Sequence, residues 1–91
     1  MQRRGRQIQP TDLKERAIGA VVSECRGRVG MSQEALAANC GFDRTYISRV
    51  ERGILNPTVI RLWKISEVLE IPFRHMVSRM EEWLAERTKK R

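Results

Sequence analysis

Apolar residues recur at spacings of three and four in five stretches of the chain, separated by Gly, Pro and small polar residues. The first stripe is Leu13, Ala17, Ile18, Val21, Val22 and Cys25. Thr11 or Asp12 can start that helix, and Asp12 with Glu15 three residues later has the spacing of a capping box. Gly27 and Gly30 mark its fraying end. A second helix is predicted from about Gln33 to Cys40, capped by Ser32, and a third from about Arg44 to Arg52, capped by Asp43. Gly41 between them sits where the chain must stop a helix and turn, a position that favours positive φ. Ile54 to Pro57 is a loop. Thr58 can cap a fourth helix with the stripe Val59, Leu62, Ile65, Val68 and Leu69. Ile71-Pro72 breaks it, and a fifth helix carries Phe73, Met76, Val77, Met80, Trp83 and Leu84 to about Arg87. No stretch alternates with the period of a strand. The fold class is therefore all-α, with five helices.

Composition adds a partner class to this picture. Eighteen Lys and Arg stand against eleven Asp and Glu, a formal charge of +7. Such an excess suits an anionic surface, nucleic acid first and acidic membrane second. Arg3, Arg4 and Arg6 lie in residues 1–10, a polar stretch that reads as a flexible basic arm. Residues 11–88 form the domain, and residues 89–91 a basic tail. No apolar run is long enough to span a bilayer and no signal-peptide core is present, so the cytoplasm is the expected compartment. Cys25 and Cys40 fall on apolar helix faces, as reduced thiols acting as small hydrophobes. One His and two scattered Cys do not make a zinc site. No nucleophile–base pair, paired carboxylates or phosphate loop is found, so the chain reads as a non-enzyme with no cofactor and no evident small-molecule ligand.

The run from Met31 to Gly53, MSQEALAANCGFDRTYISRVERG, is a short helix, a Gly turn and a second capped helix. It resembles the bihelical unit of the Xre-type family, the helix-turn-helix DNA-binding domains of phage repressor and Cro kind. The shared pieces are Ser32-Gln33-Glu34, Leu36-Ala37, Gly41, Tyr46-Ile47-Ser48-Arg49, Glu51-Arg52-Gly53 and Asn56-Pro57. The likeness runs from Ile18 to about Val77. It implies a repressor-like domain whose third helix enters the major groove of double-stranded DNA.

With Ile47, Val50 and part of Tyr46 turned inward, the outward face of the third helix is Arg44, Thr45, Ser48 and Arg49. Arginine can donate two hydrogen bonds to guanine O6 and N7, and threonine can pack on a thymine methyl. These four are the candidate base contacts; the alternative for Arg44 and Arg49 is a phosphate contact only. By resemblance, Gln33 is a phosphate clamp beside the open amides of its helix. Arg52, Asn56 and Tyr46 are further phosphate candidates, with plain packing the alternative for Tyr46. The resemblance also pairs Glu51 with Arg26, as a structural ion pair fixing the third helix to the first. The basic arm is open to two readings, minor-groove insertion or general attraction.

In the resembling family the fifth helix ends soon after Val77, whereas here the apolar pattern continues. Ile60, Trp63, Phe73, Met76, Met80, Trp83 and Leu84 together read as a homodimer interface. The alternative is that the fifth helix folds back on the first, whose extra turns need cover. The function expected is a sequence-specific transcriptional regulator, a homodimer on a palindromic operator, of restriction–modification controller or phage-repressor type. The competing class is a protein-interaction module such as an antitoxin, whose fifth helix binds another protein.

Overall fold

The computed structural model describes residues 12–88. The basic arm, Thr11 and the tail from residue 89 lie outside the described residues, and with them the minor-groove reading of the arm. Among the described residues there are five helices: α1 Leu13–Arg28, α2 Gln33–Cys40, α3 Arg44–Glu51, α4 Val59–Val68 and α5 Phe73–Thr88. None of them is long and apolar enough to cross a membrane.

Each helix starts and stops for a local reason. Asp12, Ser32 and Thr58 accept hydrogen bonds from Lys14, Ala35 and Arg61 backbone N–H groups at 2.8, 3.0 and 3.1 Å. The capping box at α1 is not closed, because Glu15 turns instead to Asn56 Nδ2 at 3.2 Å. Asp43 holds the N-cap position of α3 with extended backbone, but its side chain makes no capping hydrogen bond. Helices α1 to α4 end alike. A residue with positive φ stands at the C-cap of α2, Gly41, and just after the C-caps of α1, α3 and α4, as Gly30, Gly53 and, without glycine, Glu70 at φ 60°. The next amide then reaches back to a carbonyl five residues earlier, as Phe42 does to Ala37 and Ile71 to Ser66. This is the Schellman stop, and it reverses the chain within two residues.

The core gathers Val21, Val22, Leu36, Ile47, Val50, Ile65, Leu69 and Met76, all essentially inaccessible. α1 is its axis, packed against α3 on one side and α5 on the other. Gly19 makes the α1–α3 approach possible. A Cβ there would lie 2.4 Å from the Val50 carbonyl oxygen and 2.5 Å from that of Glu51, so only glycine fits between the two backbones.

The extended α5 corrects two members of the expected dimer interface. Met76 is fully buried and Trp83 only 8% exposed, both within the chain's own core. α5 folds back along α1, so these side chains cover Ala17, Val21 and their neighbours and have no surface left for a partner. Arg79 fixes the arrangement by donating from Nε and Nη2 to the two Glu24 carboxylate oxygens at 3.0 and 3.2 Å. Met80 and Leu84 are half-buried beside them. Ile60 and Trp63 remain 74% and 47% exposed, and Phe73 stacks on Trp63 with ring centres 4.6 Å apart. Val59, expected on the inner stripe of α4, faces outward as well.

Candidate nucleic-acid interface

α3 is only eight residues long, too short to persist alone. Its position comes from burial of Ile47 and Val50 and from one polar junction. Arg26 Nε and Nη2 donate to Glu51 Oε2 and Oε1 at 2.7 and 3.0 Å, a two-point fork. Arg26 Nη1 also donates to the Met31 carbonyl at 2.9 Å, and Gln33 Nε2 donates to Glu51 Oε1 at 2.8 Å. One guanidinium and one carboxylate therefore tie together α1, the α1–α2 loop, α2 and α3. The pair is largely out of water, with the side chains 19% and 6% exposed. Hydrogen bonding to Glu51 raises the Arg26 pKa further above its already high ordinary value, so the cation persists at every relevant pH.

Gln33, the phosphate clamp implied by the resemblance, also has a partner within the chain. Its amide is held by Glu51, which fixes the carboxamide plane at the start of α2. The Ser32 cap satisfies the Ala35 amide, leaving the Gln33 and Glu34 amides at the open, positive end of the helix. A cleft of about 380 Å3 opens there, lined by Arg26, Ser32, Gln33, Glu34 and Arg44. Arg44 thus belongs to both the outward face of α3 and the wall of this cleft.

On that outward face Arg44, Thr45 and Arg49 are exposed and Ser48 is partly so, while Ile47 and Val50 point into the core. Arg52 caps α3 and is exposed. Asn56 is exposed in the following loop, its amide on Glu15. Tyr46 is half-buried at the edge of the face, its ring edge-on to Phe42 at 5.2 Å. The Arg61 guanidinium lies over both rings, 4.8 Å from the centre of Tyr46 and 5.1 Å from that of Phe42. Sequence reading assigned Arg61 nothing, since a cation on the exposed side of a helix looks like ordinary solvated surface. Gly19 was missed too, although a glycine inside an apolar helical stripe signals close packing.

Both cysteines are buried and carry no disulfide. Burial pushes the thiols of Cys25 and Cys40 above their ordinary values, which keeps them protonated and inert.

Comparison with known proteins places this geometry in a family. A helix-turn-helix family model matches residues 22–75. The control protein C.MunI of Mycoplasma sp is 34% identical over 71 residues, covering 78% of this chain and 96% of that one. The restriction-modification controller protein C.AhdI of Aeromonas hydrophila superposes with a TM-score of 0.69 at 34% identity, covering 71% of this chain and 98% of that one. The controller protein C.Esp1396I, solved as a tetramer on its natural 35 base-pair operator, gives a TM-score of 0.75 at 30% identity, covering 80% and 96%. The chain belongs to the Xre-like helix-turn-helix family of DNA-binding regulators.

Proposed function

We propose that this chain regulates transcription by binding double-stranded DNA as a homodimer, with α3 of each copy in the major groove of one half of a palindromic operator. The observation that carries the reading is the division of α3. Ile47 and Val50 are spent on the core, and a continuous outward face of Arg44, Thr45, Ser48 and Arg49 is presented by a helix held rigidly through Arg26 and Glu51. Arg49 and Arg44 supply bidentate donors for guanine, and Thr45 and Ser48 supply shorter contacts. Gln33, with the open amides of α2, Tyr46, Arg52 and Asn56 contact phosphates and set the register.

The dimer seam is built from Ile60, Trp63 and Phe73, an apolar cluster that leaves an indole and an isoleucine in water in the single chain. Two-fold pairing through it would set the recognition helices about one turn of DNA apart, ~34 Å. The restriction–modification controller type is supported by relatives matched over nearly their whole length. The chain acts without catalysis, by occupying its site and so excluding or contacting polymerase.

Selection of bound sequences from random duplex DNA at roughly 150 mM salt tests this reading. A two-fold symmetric motif is expected. In Arg49→Ala, operator affinity should fall by about 1–3 kcal/mol and one base preference should relax. Recovery of no motif, with only weak salt-sensitive binding, would overturn the proposal in favour of a protein-interaction module.

A further inference from the structure

Adjacent residues on a helix are about 100° apart, so Arg44 lies to one side of Thr45 and Tyr46 to the other. Arg44 borders the Gln33 cleft. Tyr46, on the opposite flank, carries the Arg61 guanidinium on its ring face. A helix in the major groove meets base edges in front and one sugar–phosphate strand on each side. The two flanks of α3 therefore face different strands, with the Gln33 cleft on one side and the Arg61 guanidinium on the other.

Arg61 is exposed, and among the described residues no carboxylate lies within ion-pair distance of it. Its backbone N–H is used by the Thr58 cap, but its guanidinium makes no hydrogen bond among the described residues. Contact with the ring faces uses none of the guanidinium N–H donors, and free donors of this kind match phosphate oxygens. The stack also restrains a side chain that otherwise loses much rotamer freedom on binding.

We propose that Arg61 is a DNA-backbone contact, held ready on Tyr46 and Phe42, that grips the strand opposite the one met by Gln33. This rests on the reading of α3 as a major-groove helix. It gives α4 a part in binding beyond scaffolding. It also gives the Tyr46 ring a second task, as the platform for the cation.

The test is the salt dependence of operator affinity, measured by fluorescence anisotropy on selected operator and on random duplex, with thermal melts in parallel. Loss of one phosphate contact lowers the slope of log K against log salt by about 0.9 in magnitude. Arg61→Gln should flatten the slope by roughly 2 per dimer and weaken operator and random duplex by the same factor. Arg61→Lys keeps the charge but lacks the planar fork of donors, so it should retain the slope and lose part of the affinity. An unchanged slope in Arg61→Gln, with or without a lower melting temperature, would reduce Arg61 to a staple between α4 and the α2–α3 turn and overturn the proposal. If the unaltered protein has no duplex affinity, the DNA-binding reading itself fails, and Arg61 with it.

Discussion

Replacing Gly19 with alanine tests the account of how α3 is held. In an exposed helix this change stabilises by about 1 kcal/mol, because alanine loses less backbone freedom on folding. In this chain the new methyl would meet the Val50 and Glu51 carbonyl oxygens at 2.4 and 2.5 Å and the Glu51 carbonyl carbon at 2.8 Å. These are backbone atoms, so no side chain can rotate away. α3 must move back from α1 by roughly an ångström, and because the clash is with backbone the cost lies in the upper part of the overpacking range, about 2–3 kcal/mol. A net destabilisation of about 1–2 kcal/mol is expected. Gly27, in the last turn of the same helix, has nothing within 4 Å of its would-be Cβ. Gly27→Ala should therefore stabilise by a few tenths to about 1 kcal/mol. The same chemical change in one helix has opposite signs. Urea unfolding followed by tryptophan fluorescence, at fixed protein concentration, measures both. In parallel thermal melts, at about 4–8 °C per kcal/mol, the two melting temperatures should separate clearly. Operator affinity should also fall in Gly19→Ala, because the displaced Glu51 carries the contacts to Arg26 and Gln33. A Gly19→Ala protein as stable as the parent, with unchanged affinity, would refute the argument that backbone contact sets the position of α3.

Four further outcomes are expected. Arg26→Ala strands the Glu51 carboxylate and should cost roughly 3 kcal/mol in chemical denaturation, more than a surface ion pair is worth. Glu70→Gly relieves the only positive φ carried by a non-glycine among the described residues and should raise stability by about 0.5–1 kcal/mol, read as a higher melting temperature. Trp63→Ser should weaken self-association in sedimentation and leave the fold intact, whereas Trp83→Ala, a core change, should lower the unfolding midpoint. Because burial raises the folded-state pKa of Cys25 and Cys40, their contribution is fully present below the ordinary unfolded value of about 8.5. It is lost as pH rises toward the folded pKa. Stability should decline in that alkaline range, and the Cys25→Ala/Cys40→Ala variant should decline less.

What could be read from the sequence divides along a physical line. Helix ends are local events, so Ser32, Gly41, Thr58 and Pro72 marked them within the chain itself. Stripes of apolar residues likewise showed which face of each helix is buried, but not what covers it. The same periodicity on α5 suits a partner or α1, and only the folded chain assigns Met76 and Trp83 to α1. Asp43 looked like an active cap, yet a residue of the right type in the right place still has rotamers that avoid the bond. Gln33 and Glu51 are eighteen residues apart, and Arg61 and Tyr46 fifteen. Pairings at that distance are set by helix crossings, which no local pattern encodes. The outward face of α3, proposed here to read bases, was legible because it is a remainder, what is left of α3 once its inward residues are taken away.

The closure of α5 onto α1 bears on how the protein is made. The helix-turn-helix unit is assembled from neighbours in sequence, but Ala17 and Trp83 are sixty-six positions apart in the numbering and belong to one cluster. Contacts at such separation come after most of the loop-closure entropy has been lost. During synthesis the turn of the recognition unit can form while α1 is still uncovered on one side. The scaffold that steadies it is complete only when α5 has emerged. Completion of the scaffold around the helix-turn-helix unit is therefore timed by the emergence of α5, not of α3.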